Sequence, residues 1–465
     1  MLNNKGIKLA SILPAFIAIA IIIRLIFVDI SIFSYIAILI FIHQLLSLIS
    51  SFNHIIPIRY LFGTFMSLQM LLGSALAYNG IEEYLGDNYK MKIPEAEYFI
   101  YAIPAVLCFI IGLNINSQNN TGERININAI KQFVRLNPRL PLILIIIGFV
   151  SGFIESYFPS ELAFVFYLLS GFKFIGLFLM ILGETKLRVS LLIVVYGSIF
   201  LSSLQGGLFH DLLTWLIFLG AVFSIKYKPN ISLKLAGISV FIILSIIIQI
   251  TKGTYREETW EAGKEAGVGT FTESTAISTS ASGGFFRKET IAPHVVRINQ
   301  GFIISNILSY VPANEPFSNG ESMVRIIKSA VLPRILAPDK LNAGDREIFM
   351  QYSGLVIDAG TSMGLSSVGD AYVNFGIIGG CIFMFFYGLL FNWSLKRLDK
   401  SSVNYPAILL FAPLIYVYPI RPDCELQTIL GHLVKSIFLV FVIFRVFSST
   451  FKLKGKAILN YEEGR

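Results

Sequence analysis

Charge is what this chain has least of. Only 14% of its 465 residues are charged, while 55% are apolar or aromatic. An ordinary soluble domain carries about 25% charged residues. A shortfall this large over this length excludes a soluble globular protein and predicts a chain that crosses a membrane many times. Cysteine is scarce too. Cys108, Cys381 and Cys424 are widely spaced and two lie in apolar runs, which excludes a disulfide framework and a CxxC metal site. There is no P-loop, no GxGxxG opening a helix, no HExxH and no GxSxG elbow. No Asp-x-Asp pair occurs, which argues against a metal-dependent nucleotide-sugar transferase.

The net charge is +8, but this is no nucleic-acid signal. In a many-span protein Lys and Arg accumulate in loops kept on the cytoplasmic side. No nucleic-acid partner is expected; the bilayer itself is.

What the chain has instead is apolar length. A span needs about 20 apolar residues. Runs of that kind lie near residues 8–28, 31–51, 58–78, 97–114, 140–157, 161–183, 188–204, 209–226, 233–250, 368–393, 405–420 and 427–448. About twelve transmembrane helices are therefore expected. The first run follows Lys5 and Lys8 like a signal peptide, but it is long enough to span and reads as a retained helix.

The loops between the runs alternate in charge. Basic residues follow the second run (Arg59), the fourth (Arg124, Lys131, Arg135, Arg139), the sixth (Lys186, Arg188), the eighth (Lys226, Lys228, Lys234), the tenth (Lys396, Arg397, Lys400) and the last. The loops between those are acidic or nearly neutral. The pattern predicts both termini in the cytoplasm and the long insert on the outer side. It divides the chain into spans one to nine (1–250), an extracytoplasmic, partly helical loop (251–366), spans ten to twelve (367–450) and a cytoplasmic tail (451–465).

The insert has two halves. Mixed charge followed by a Gly/Ser/Thr-rich tract from Gly267 to Gly284 predicts a mobile segment. Further on, Ser318-Asn319-Gly320-Glu321 reads as a capping box. Met323, Ile326, Ile327, Ala330 and Val331 then recur at helical spacing, with Arg325 and Lys328 off the stripe. This predicts an amphipathic helix lying on the membrane surface or on the span bundle.

Three constellations could carry chemistry. Arg297, Arg325, Arg334 and Lys340 form a basic series in the insert. Guanidinium groups present parallel donors and stay charged, which suits a lipid-linked diphosphate. The bland alternative is solvated cations touching headgroups. Arg421-Pro422-Asp423-Cys424-Glu425 is the second, running into the last apolar run. Glu425, His432 and Lys435 share a helix face there and suggest a cavity wall, or a buried pair that satisfies itself. The third is His210-Asp211, residue types suited to proton transfer, though neighbours in sequence need not act together.

The runs Arg297-Ile-Asn-Gln-Gly, Pro316-Phe-Ser-Asn-Gly-Glu-Ser, Leu332-Pro-Arg-Ile-Leu-Ala-Pro-Asp-Lys340 and Gly369-Asp-Ala-Tyr-Val-Asn-Phe-Gly376 resemble bacterial repeat-unit polymerases of the Wzy type. The resemblance implies a GT-C-like all-α polytopic protein of the bacterial inner membrane. It implies a glycosyltransferase that polymerises undecaprenyl-diphosphate-linked oligosaccharides into O-antigen, capsule or exopolysaccharide. Donor and acceptor would both be such lipid-linked glycans, with no metal, nucleotide sugar or other cofactor. A chain-length regulator and a flippase would be partners. The diphosphate would be held by Arg297, Arg334 and Arg421, with Arg325 and Lys340 as further candidates. His210, Asp211, Asp423 or Glu425 would act as base. An Arg-x10-Gly pattern of the family is met only by Arg256 to Gly267, in the stretch expected to be mobile. A polysaccharide ligase, with the same chemistry and another acceptor, is the nearest alternative. A lipid-linked glycan flippase is a further one, but it would call for more charge inside the spans.

Overall fold

The computed structural model describes residues 9–84, 86–117, 124–184, 189–281, 295–332, 340–341, 344, 346–358 and 361–452. Among these the chain is helix and turn throughout, save one isolated β-bridge between Ile55 and Arg124. In chain order the helices are α1 (Leu9–Ile26), α2 (Ile32–Ser51), α3 (Ile58–Ile81), α4 (Glu95–Asn114), α5 (Ile127–Leu136), α6 (Leu140–Ile154), α7 (Ser160–Ser170), α8 (Phe172–Leu182) and α9 (Val189–Gly206). They continue with α10 (His210–Tyr227), α11 (Ile231–Arg256), α12 (Val268–Ala281), α13 (Gly301–Tyr310), α14 (Glu321–Val331), α15 (Arg346–Ser353), α16 (Ser366–Ser402), α17 (Ala412–Tyr416) and α18 (Leu426–Val446).

Nine helices among the described residues are long and apolar enough to cross a membrane. The three other runs expected as spans are helical as well. Leu13–Ile26 and Pro406–Tyr416 are shorter apolar helices, and α10 carries His210 and Asp211 in its first turn and Lys226 in its last. Large apolar side chains point outward along these helices, among them Phe153 (73% exposed), Ile378 (78%) and Phe438 (66%). In water such a surface would drive aggregation; in hydrocarbon it is the solvent-facing surface. The protein is an all-α polytopic membrane protein.

The tightest helix pair is α4 with α16. A Cβ on Gly112 would collide with the Phe385 carbonyl, and one on Gly388 with the Phe109 carbonyl. Glycine at both crossings lets the backbones touch, the usual device for helix association where no hydrophobic effect operates. Phe62, Phe109, Tyr387 and Phe391 pack around the crossing, with Phe62 and Phe391 ring centres 4.4 Å apart.

Arg59 is not a loop cation. It is 4% exposed and donates to the Leu113 carbonyl and, at 3.1 Å, to Asn392 Oδ1. The C-terminal end of α4 supplies negative potential that holds it there. Near it the loops after α2, α4, α10 and α16 converge: Asn53 Nδ2 donates to Pro229 O, Lys234 Nζ to Phe52 O and Lys396 Nζ to Ile115 O. These are the loops the sequence marks as basic. Other loops meet elsewhere, where Lys92 N donates to Ser305 Oγ and Asn299 Nδ2 lies 3.6 Å from Met91 Sδ.

Two expectations for the 251–366 insert need correction. Its first residues are not loop: α11 runs on to Arg256 and through a π turn to Glu261. Much of the Gly/Ser/Thr tract is helix α12, packed on α11 rather than mobile. Its hydroxyls return to their own helix, Thr275 to Phe271 O and Ser278 to Ser274 O, and cross to α11 at Thr251–Thr275 and Thr254–Ser278. Polar helix faces join here by hydrogen bonds, as they do between helices in membranes. Composition alone misreads such a segment as a linker.

Helix α14 is amphipathic as expected, and Met323, Ile326 and Ala330 are buried where it packs on α18. Its cap differs from the predicted box. Gly320 is the N-cap with φ 92°, and Asn374 Oδ1, from α16, accepts from Met323 N at 3.1 Å. Ser318 does serve the helix N-terminus as expected, its Oγ accepting from Ser322 N at 2.8 Å, while Glu321 stands inside the first turn.

Candidate functional site

The site begins with a distorted helix. α3 loses regular α geometry at π turns Leu68–Leu72 and Ala77–Ile81. Such wide turns are uncommon and concentrate at functional sites. Here they receive the segment 297–301. Gln300 N donates to Gln69 O at 3.1 Å, and Ser74 Oγ donates to Asn299 Oδ1 at 3.1 Å. Gly73 is required by this contact, because a Cβ there would sit 2.5 Å from the Ile298 carbonyl oxygen. Asn299 is fully buried, while Arg297, two residues before it, keeps an exposed side chain. The Arg-Ile-Asn-Gln-Gly run is thus an anchor that presents one arginine.

Three more cations join Arg297. Lys252 and Arg256 are one helical turn apart on α11. Arg256 donates twice to the Gly207 carbonyl, from Nε at 3.1 Å and Nη2 at 2.9 Å, and its guanidinium lies 4.5 Å from the Trp260 ring centre. Gly207, with φ 57°, closes the turn between α9 and α10, so Arg256 ties the end of α11 to that turn. Lys252 is half-buried and within electrostatic reach of Arg256, Arg297, Arg421 and Asp423.

Arg421 and Asp423 are paired, Nη2 to Oδ2 at 2.8 Å, with side chains 18% and 29% exposed. Burial opposes ionisation of Asp423, but the Arg421 guanidinium and a hydrogen bond from Gln69 outweigh it, and the carboxyl stays below the usual range. Burial likewise disfavours the Arg421 charge, and Asp423 more than restores it. Next in sequence, burial pushes the Cys424 thiol up to about 12.

His210 and Asp211 adjoin this cluster. His210 Nε2 lies 2.9 Å from Asp211 Oδ1, and the Tyr167 hydroxyl donates to Asp211 Oδ2 at 3.3 Å. The first contact is a close approach of a ring nitrogen to a carboxylate oxygen; no well-aligned hydrogen bond reaches Oδ1. Tyr418 links the two halves: its ring centre is 5.5 Å from the Arg421 guanidinium and 6.4 Å from the His210 ring.

Glu425 is elsewhere. Its Oε1 accepts from Gly344 N at 2.7 Å and from Thr428 Oγ1 at 2.6 Å. It lines a small cavity of about 30 Å³ with buried Asp370, Gln427 and Arg325. Asp370 Oδ2 accepts from Leu426 N at 3.4 Å. Nor do His432 and Lys435 share a cavity wall with Glu425. His432 is buried, with Nε2 2.9 Å from Leu414 O and its ring tilted against Tyr418, while Lys435 sits 4.3 Å over the Phe164 ring. A common helix face at spacing seven and three was real, but different neighbours cover its two ends.

The proposed basic series is therefore split. Arg297 and Arg421 both lie within electrostatic reach of Lys252; Arg325 joins the carboxylates; Lys340 Nζ donates to Leu332 O at 3.1 Å beyond the end of α14. Arg334 lies outside the described residues. Of the proton-transfer candidates, His210, Asp211 and Asp423 gather and Glu425 does not. Lys252, Gln69, Tyr167 and Tyr418 carry no local sequence signal. Arg256 did, through its spacing to Gly267. Among the described residues, no three His, Cys, Asp or Glu side chains come together to hold a metal.

No curated protein and no solved structure matches the chain. One family profile does, over residues 16–454, nearly the whole length. With that coverage, the chain belongs to the family described as Domain of unknown function (DUF8712).

Proposed function

We propose that this protein is a membrane glycosyltransferase that polymerises undecaprenyl-diphosphate-linked oligosaccharides. The observation that carries the reading is a surplus of positive charge. Lys252 lies within electrostatic reach of Arg256, Arg297 and Arg421, with Asp423 also near Lys252 and Asp211 near Arg421. Glu258, on the same turn as Arg256, is already engaged by Lys264 and Ser274. Partly buried like charges repel strongly and call for an anion. A diphosphate is such an anion, and Arg and Lys are its usual partners.

In this reading an acceptor hydroxyl attacks the anomeric carbon of the donor. The bond from that carbon to the diphosphate oxygen breaks, and the electron pair leaves on the diphosphate. Lys252, Arg297 and Arg421 stabilise the charge that builds there. His210, beside Asp211, takes the hydroxyl proton. The cluster lies on the extracytoplasmic side of a bacterial inner membrane, and the loops around Arg59 and Lys396 lie in the cytoplasm, as the charge alternation favours.

The test uses the native host and purified protein. Deletion should leave carrier lipid bearing single repeat units, whereas loss of a ligase would leave polymer on the carrier. Arg297→Ala and Arg421→Ala should each abolish polymer while the protein remains in the membrane, and both should lose binding of undecaprenyl diphosphate. Full-length polymer from both variants would overturn the assignment.

A further inference from the structure

A second group of cations lies at the far end of α10. That helix has 18 residues, so its last turn stands about 27 Å from His210 at the helical rise per residue. There the turn between α2 and α3 meets the turn between α10 and α11 and the residues just ahead of α5.

Hydrogen bonds hold the three segments together. Asn53 takes the left-handed conformation, φ 85°, and its Nδ2 donates to Pro229 O at 3.1 Å. The Ser224 hydroxyl donates to Asn53 Oδ1. Ile55 makes its β-bridge with Arg124, and Lys234 Nζ reaches back to Phe52 O at 3.1 Å. Lys228 closes α10 at φ 48°, its N–H donating to Ser224 O at 2.9 Å. His54 is exposed in the middle of these ties. Partial burial, and then the charges of Arg124, Lys234 and Lys228, hold its imidazole below the usual range.

No carboxylate among the described residues lies within electrostatic reach of His54. Nearby cations are matched: Lys131 pairs with Glu184 at 2.6 Å, and Lys226 and Arg135 are in reach of that same carboxylate. Around His54 the charge is instead reinforced, because the 26-residue α11 starts at Ile231 and points its positive end at the same turn. Like charges brought together by separate segments, with a helix N-terminus added, make an anion site.

We infer that His54, Arg124 and Lys228, with the first turn of α11, bind the phosphate group of an anionic ligand. Arg124 and Lys228 supply fixed charge. His54 takes up a proton as the anion arrives and becomes a further donor. The position favours a phospholipid headgroup as the source. α11 turns Leu235, Val240, Ile242 and Ile243 outward, so a lipid lying along it brings its phosphate level with the first turn. A soluble phosphate has the same chemistry, and the test separates the two. The inference does not depend on the catalytic reading.

The full-length protein, labelled with 15N-histidine, is studied by solid-state NMR in phosphatidylcholine bilayers, with His54 assigned through His54→Asn. Three additions are compared: phosphatidylglycerol, a diacylglycerol hemisuccinate (anionic but free of phosphate), and inorganic phosphate. Phosphatidylglycerol should raise the His54 pKa by about one unit and bring 31P close enough to dephase its ring nitrogen. The hemisuccinate should raise the pKa less. A response to inorganic phosphate and none to phosphatidylglycerol would keep the site and overturn the headgroup. Equal rises with both anionic lipids and no added dephasing would be surface potential alone and would overturn the site, as would no response to any addition. Arg124→Gln with Lys228→Gln should abolish the response to phosphatidylglycerol. The wild-type arms decide the matter even where that variant fails to fold.

Discussion

Asp423 and Glu425 are two residues apart and live in opposite surroundings. Asp423 faces Arg421, Lys252 and Gln69, in a cluster with more cations than carboxylates. Glu425 faces Asp370 and the Gly344 amide, in a cavity of about 30 Å³. Cys424 sits between them, its thiol held neutral by burial. The first region has unmet charge and reachable side chains. The second is small, and Glu425 Oε1 and Asp370 Oδ2 already accept from protein donors. Unmet charge at a partly open surface invites a ligand; satisfied charge in a closed space holds structure. A run such as Arg421-Pro-Asp-Cys-Glu425 therefore supplies one functional pair and one structural acid.

The contrast can be broken most forcefully at Arg421. Arg421→Ala strands Asp423 and should cost about 3–5 kcal/mol of stability, the usual penalty for splitting a buried pair, and abolish polymer. Arg421→Met with Asp423→Leu should recover much of the stability, read by thermal unfolding in detergent, and none of the polymer. Recovery of both would make the pair merely structural.

Arg256 gives an intermediate test. Arg256→Lys keeps the charge but cannot place two donors on the Gly207 carbonyl while lying over Trp260. About a tenfold loss of polymer is expected, with undecaprenyl diphosphate still bound, because one turn rather than the whole clamp is released. Equal activity would show that Arg256 contributes charge alone.

Glu425→Gln should matter less. The amide oxygen can still accept from Gly344 N and Thr428, so a loss of about 1 kcal/mol is expected in the unfolding midpoint and polymer should persist. Abolished polymer with an unchanged midpoint would move catalysis to the second region.

The last effect appears only in alkali. The thiol of Cys424 is raised from 9.0 to about 12 in the folded chain. The folded state therefore keeps its proton where the unfolded state has lost it. The contribution to stability is whole below pH about 9, and falls as pH rises towards 12. Iodoacetamide should label Cys424 slowly at pH 8 in the folded protein and quickly once it is unfolded. Fast labelling of the folded chain at pH 8 would place the thiol in the open region with Arg421.

Much of the fold was legible because a span must satisfy its backbone within one continuous apolar run. Each of the expected runs is helical among the described residues, and four of the basic loops, those after α2, α4, α10 and α16, converge. Where hydropathy failed, hydroxyl groups had replaced apolar contact: Thr251, Thr275 and Ser278 turn a linker-like composition into a packed helix. The site was legible in part. Arg297, Arg421, Asp423, His210 and Asp211 stood out as polar residues near apolar runs. Arg325, Lys340 and Glu425 stood out for the same reason and belong to other places.

The sequence by itself determined that this chain lives in a bilayer and which long apolar runs are helical, because hydropathy and hydrogen-bond closure act locally along the chain. Only the tertiary structure decided which cations share a site. Lys252 and Arg256 come from one helix and Arg297 and Arg421 from two other segments, and the seating of the Arg297 segment depends on a glycine at position 73 and a π turn in α3. Electrostatics acts through space, and spacing along a chain does not measure it.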